Sequence, residues 1–304
     1  MWWILFAFSG PVLWAASTHI DKYIVERYFK RSSMAVLMVS TALIGIVMLP
    51  FIWWFRSEVF NIPLFSILII TLSGILYMGA LLFYMKAIQS EEASVVSPFF
   101  EAAPLFAYAL AYFVLGEKLS SLQMVGCLLV IVGTLFLSVH IGQKRKKFNT
   151  RLVVLMLSCA FLVALSSLIF KFFAVSVEFW VTTFWTYAGE AIFGIIILLW
   201  PPYFREFVGI LKRSTLAIVS ITGANELINL GGGLGFRYAL LFAPLSVVQT
   251  IGNTTTLFVF IFGIALSIFW PSLGREDLSA KNLIQKGVSA LLVGVGVTLA
   301  SIAW

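Results

Sequence analysis

The chain has 304 residues, of which 61% are hydrophobic and only 11% charged, and its mean hydropathy is +1.04. A soluble chain carries roughly 25% charged residues, so this composition excludes a soluble domain and marks an integral membrane protein. The net charge of +7 sits in basic runs between apolar stretches, the pattern of a membrane protein and not of a nucleic-acid-binding surface.

A membrane-crossing helix needs about 20 apolar residues, and ten such runs follow one another, at 2–20, 34–54, 64–86, 93–115, 121–140, 152–172, 179–200, 215–241, 245–269 and 284–303. The first lacks a basic leader and a small-residue cleavage site, so it reads as a helix and not a signal peptide. Two connectors, Tyr203–Arg213 and Leu278–Lys286, have the amphipathic pattern of segments lying on headgroups. Cys127 and Cys159 stand in apolar runs without metal-ligand spacing and read as packing residues. No HExxH, GxSxG or P-loop pattern occurs, so neither an enzyme, a metal site nor a cofactor is expected.

The chain repeats itself. "AASTHIDKY" (15–23) aligns with "ALSSLIFKF" (164–172), bringing Ser17 onto Ser166 and Lys22 onto Lys171. Gly45 then falls on Gly194 and Gly74 on Gly223. Further on, "KAIQSEEASVVSPFFEAAPLF" (86–106) lies over "YALLFAPLSVVQTIGNTTTLF" (238–258), and Gly126 and Gly133 match Gly287 and Gly294. This predicts an all-α integral membrane fold of ten transmembrane helices, arranged as two five-helix repeats. The first spans 1–143, a basic linker 144–151, and the second 152–304. Because five is odd, the second unit enters from the opposite side. The repeats are then inverted, an arrangement that places substrate sites near the bilayer midplane.

The same residues carry a family resemblance. The "WAAS" and Lys22 of the first helix, and the run "FYMKAIQSEEASVVSPFFEAAPLFAYALAYFVLGEKLSSLQMVGCLLVIVG", resemble the ten-helix EamA-type branch of the drug/metabolite transporter superfamily. "LGEKLS" is the most specific piece. In the second half it gives way to "IFWPSLGREDLSAKN". The resemblance implies a secondary transporter of small metabolites, amino acids or drugs in the plasma (inner) membrane, working without a cofactor. It also implies cytoplasmic termini. The charge bias points the other way, because sixteen of the 20 Lys and Arg follow odd-numbered helices. The positive-inside rule therefore puts both termini outside.

Ionisable groups at membrane depth cost something like 2.5–3.5 kcal/mol on insertion scales and mark functional sites by default. Glu101, Glu190 and Glu226 are such groups, and Asn225, Asn229, Gln249 and Asn253 accompany them. Asn225 and Asn229 share a helical face, while Gln249, Asn253 and Thr256 form a stripe on span nine. Glu101 overlies Asn253 in the repeat, so each half offers one polar side chain to a shared cavity. These seven are the expected substrate and proton pathway, with His19, Lys22, Lys171, Trp185 and Tyr187 as secondary candidates. The plainer reading of the polar residues is helix-to-helix hydrogen bonding. For Lys22, Lys171 and Arg237 it is snorkelling to the headgroups. The offset between the halves grows between Gly223 and Tyr238, which places a break or bulge of span eight at Gly231–Gly233.

The resulting expectation is a proton-coupled secondary transporter of a small-molecule substrate, embedded in lipid as a monomer and without nucleic-acid partners. A substrate exchanger without proton coupling is the alternative. A non-transporting membrane scaffold is the alternative of another class, and the buried carboxylates speak against it.

Overall fold

A computed structural model describes residues 2–27, 34–90, 97–138, 150–213, 216–269 and 280–302. These residues are built almost wholly of helix, as they must be where no water is present to satisfy free backbone groups. In chain order the helices are α1 (Trp3–Arg27), α2 (Met34–Phe55), α3 (Leu64–Ser90), α4 (Ala103–Val114), α5 (Ser121–Ser138), α6 (Thr150–Ser176), α7 (Phe179–Leu198), α8 (Pro201–Arg213), α9 (Leu216–Ala239), α10 (Leu245–Asn253), α11 (Thr255–Phe269) and α12 (Ala280–Ile302). Short 3₁₀ turns cover Ser57–Phe60 and Ser97–Ala102.

Among the described residues, six stretches are long and apolar enough to cross a membrane: Trp3–Asp21, Leu64–Ala87, Thr150–Ser176, Phe179–Leu198, Leu245–Phe269 and Ile284–Ser301. Three shorter apolar helices, Thr41–Phe55, Ala103–Val114 and Ser121–Phe136, stand beside them. Large apolar side chains such as Leu5, Trp54, Phe65, Phe113 and Leu291 face outward, a surface suited to hydrocarbon and not to water. The protein is a multi-pass membrane protein. α8 is the amphipathic connector expected at 203–213. Of the second such connector, 278–279 lie outside the described residues, and Ala280 onward is continuous with α12.

The pairing of helices positions the site. α1 lies along α9, α3 along α6 and α7, α2 along α7, and α5 along α12. Small residues occupy these contacts, since lipid gives helices no hydrophobic reason to associate and close backbone approach has to supply the attraction. A Cβ on Gly74 would lie 2.0 Å from Thr186 O, and one on Gly189 2.0 Å from Thr71 O, so α3 and α7 touch backbone to backbone. By contrast α2 and α9 meet over only a short stretch, around Thr41 and Glu226.

The glycine-rich part of span eight departs from expectation. α9 runs through Gly231–Gly233 without interruption. The glycines serve packing instead: a Cβ on Gly232 would meet Leu13 and Trp14, and one on Gly235 would lie 2.0 Å from Ser9 Oγ. The interruptions lie elsewhere. Span nine is split between α10 and α11 at Thr254, and the described part of span four, from Ser97, begins as the 3₁₀ turn that precedes α4. At the first of these, Thr254 Oγ1 donates to Ile251 O and Thr255 Oγ1 to Gly252 O, both at 2.7 Å. Hydroxyls that take up backbone carbonyls in this way compete with the regular helix.

Candidate functional site

The polar side chains gather in three places. The first is where α1, α2 and α9 meet. Glu226, 4% exposed, accepts a hydrogen bond from Thr41 Oγ1 (3.1 Å) and a long one from Asn229 Nδ2 (3.5 Å). Its neighbour Asn225 donates from Nδ2 to Asp21 Oδ1 at 2.7 Å, and Ser17 also bonds Asp21. The Asn225 Oδ1 is buried and meets no partner among the described residues. Two carboxylates, Asp21 and Glu226, thus stand within electrostatic reach of each other in a setting made of neutral hydrogen-bonding groups.

The second place joins α7 to α9. Arg237 Nη2 donates to Glu190 Oε1 at 2.5 Å, and both side chains are largely buried, 14% and 5% exposed. The guanidinium lies 4.9 Å from the Tyr187 ring, 5.5 Å from Phe170 and 5.8 Å from Tyr77. Tyr77 lies within electrostatic reach of Glu190, Arg237 and Glu226 alike, which connects this place to the first. Arg237 therefore does not snorkel from the end of span eight. A buried acid is there to receive it, and aromatic faces favour its charge.

The third place joins the halves. α4 ends at Val114 with Leu115 as its C-cap, and Gly116, at φ 67°, turns the chain so that Glu117 points back into the bundle. Glu117 pairs with Lys171, and its Oε2 also accepts the Leu245 N–H at 2.8 Å, at the start of α10. Lys171 Nζ donates to Ala243 O at 2.5 Å. Lys171, 8% exposed, is thus an internal clasp and not a headgroup lysine. The acid of "LGEKLS" caps a helix of the other half, where a carboxylate suits both the free N–H groups and the helix dipole. That role was not assigned from the sequence.

The remaining candidates are more dispersed. Gln249 Nε2 donates to Ser167 Oγ at 2.6 Å, and Asn253 Nδ2 to Phe100 O at 3.2 Å. His19 bonds Val259 O at 2.8 Å, tying α1 to α11. Trp185 Nε1 donates to Val59 O at 2.7 Å and packs on Phe60, away from the carboxylates, whereas Tyr187 stands at Arg237. The side chains of Glu101 and Lys22 lie outside the described residues. A cavity of about 400 Å³ opens among Phe83, Phe106, Leu157, Ser158, Phe161 and Leu162; its walls are mostly apolar, and none of the polar candidates lines it.

A helical bundle with apolar outer faces and carboxylates bonded across its interior defines a polytopic membrane protein. Residues 1–139 match the model of the EamA-like transporter family. The first half of the chain is thus similar to a unit of that family, within the drug/metabolite transporter superfamily, whose members are membrane transporters of small molecules. A solved crystal structure is similar over 98% of this chain and 96% of that one, with TM-score 0.74 and 15% identity, a likeness that speaks for the fold alone. No curated protein matches the sequence.

Proposed function

We propose that the protein is a secondary active transporter of small polar metabolites that works by alternating access and couples transport to protons through Glu226. The observation that carries this reading is the α1–α2–α9 junction. There a buried carboxylate is held by Thr41 and Asn229, next to a second acid, Asp21, on the opposite helix. Two acids at this depth are costly for a scaffold and are the usual mark of an ion or substrate path. Asn225, Asn229, Gln249 and Asn253 would supply hydrogen bonds to the substrate, and Glu101 and Glu190 would line the path.

Two features support inverted repeats, 1–143 and 152–304, as the framework. If the second five spans are the inverted image of the first, α3–α6 is the image of α1–α9, and α4–α6 that of α1–α11, while α2–α7 and α5–α12 are each their own image. All of these pairs pack, whereas α3–α7 also packs and its image, α2–α9, meets over only a short stretch. In addition, α4 starts at Ala103 and α11 at Thr255, at the offset that lays Glu101 over Asn253.

The test is uptake into proteoliposomes of a panel of labelled amino acids, sugars, nucleosides and organic cations, with an imposed pH gradient. Wild-type protein is expected to accumulate at least one panel member in response to the gradient. Glu226→Gln is expected to lose that response while still exchanging substrate. An unchanged, still pH-driven rate in the variant would remove the proton role of Glu226.

A further inference from the structure

Building on the transporter reading, we propose that Arg237 is the receptor for a carboxylate of the substrate, so that the transported solutes are carboxylic acids recognised by that group. A guanidinium presents five N–H donors in a planar fork that fits the two oxygens of a carboxylate. Glu190 engages this fork through one oxygen, at Nη2. Nη1 is buried and meets no acceptor among the described residues. An ion pair present only to hold α7 to α9 has no need of an idle buried donor, and leaving one unsatisfied is destabilising. An incoming carboxylate oxygen at Nη1 would satisfy it.

The surroundings restrict what can approach. The rings of Tyr77, Phe170 and Tyr187 pack around the guanidinium, and Tyr187 also hydrogen-bonds it. Its edge is therefore the part left for a ligand. Along α9, Arg237 follows Glu226 by three full turns, about 16 Å, and so lies on the same face. Gly233 falls between them on that face, and a Cβ there would meet nothing within 4 Å. Gly232 and Gly235 turn the other way, against α1. The face directed at the interior thus reads acid, bare backbone, base. A solute lying along it would set its carboxylate on Arg237, with its other polar groups towards Glu226 and Asn229.

The experiment uses the full chain in nanodiscs for binding and in proteoliposomes for uptake. The probes are matched pairs of acid and primary amide: glycine and glycinamide, lactate and lactamide, benzoate and benzamide. At least one acid is expected to raise the melting temperature and to be taken up, with its amide binding about tenfold more weakly or worse. Arg237→Gln/Glu190→Gln removes both charges together, leaving neither buried alone, and is expected to abolish the preference for the acid. Arg237→Lys keeps the charge and the link to Glu190 but loses the fork, and is expected to weaken acid binding several-fold; it carries the test if the double variant fails to fold. Amides that bind as well as their acids, or a double variant that retains the preference, overturn the role of Arg237 and leave the transporter reading intact. If wild type takes up no member of this panel or of the larger metabolite panel, both readings fall.

Discussion

Lysines near the ends of membrane helices usually reach for the headgroups, but Lys171 turns inward, where Glu117 and the Ala243 carbonyl receive it. Removing one member of a buried ion pair strands the other, at a cost of about 3–5 kcal/mol, whereas removing both can be close to neutral. Glu117→Ala is therefore expected to lower the melting temperature of the detergent-solubilised protein markedly, and Glu117→Ala/Lys171→Met to recover much of the loss. A double variant as unstable as the single one would mean that Glu117 acts mainly through the Leu245 N–H. At this scale the sequence was only half legible. Intramembrane polar residues stand out from their apolar neighbours, and Glu226, Glu190 and Asn225 all proved to be buried. Their partners did not stand out. Asn225 bonds Asp21, 204 positions away, and Arg237 bonds Glu190, 47 positions away. Nothing local reports such a pairing, so Arg237 read as a snorkelling residue.

Among the elements, runs of about 20 apolar residues marked most of the helices, because the hydrocarbon thickness fixes their length. The helix interruptions were harder to place. The extra residues of span eight pointed to Gly231–Gly233, yet the helix continues there, since glycines packed on a neighbouring helix need no break. The usable signal lay in the Asn253–Thr256 run, whose hydroxyls bond their own backbone. The close contact of α3 with α7 leads to a paired prediction. Gly74→Val would drive side-chain atoms into the Thr186 carbonyl, and is expected to destabilise the protein or to force the two helices apart. Gly223, its match in the repeat, has nothing within 4 Å of a Cβ, so Gly223→Ala is expected to be harmless or, by about 1 kcal/mol of helix propensity, stabilising. Thermal melts of the two variants, compared with wild type, check both. Equal losses would mean that the α3–α7 contact is more yielding than its geometry implies.

At the scale of the whole molecule, the membrane class followed from composition alone, and the family likeness of the first half from "LGEKLS" and its neighbours. Orientation does not follow from folding physics in the same way. The excess of basic residues after odd-numbered helices predicts that a reporter fused after Trp304 is active only outside the cytoplasm; activity inside would side with the family resemblance. On the proposed inverted repeat, the unequal contacts of α3–α7 and α2–α9 have a consequence for motion. The tight contact is a template for a contact the molecule has yet to make. At the offset that lays Gly74 over Gly223, Gly189 corresponds to Ser40 and Thr71 to Ser220, so the close backbone contact of Gly189 with Thr71, which leaves no room for a Cβ, foretells an approach of position 40 to position 220. Cysteines introduced at those two sites, in a chain freed of Cys127 and Cys159, should cross-link only during turnover and trap the transporter facing the other side of the membrane. The loose side of this bundle would then be the tight side of its next conformation, and one set of coordinates would outline both ends of the cycle.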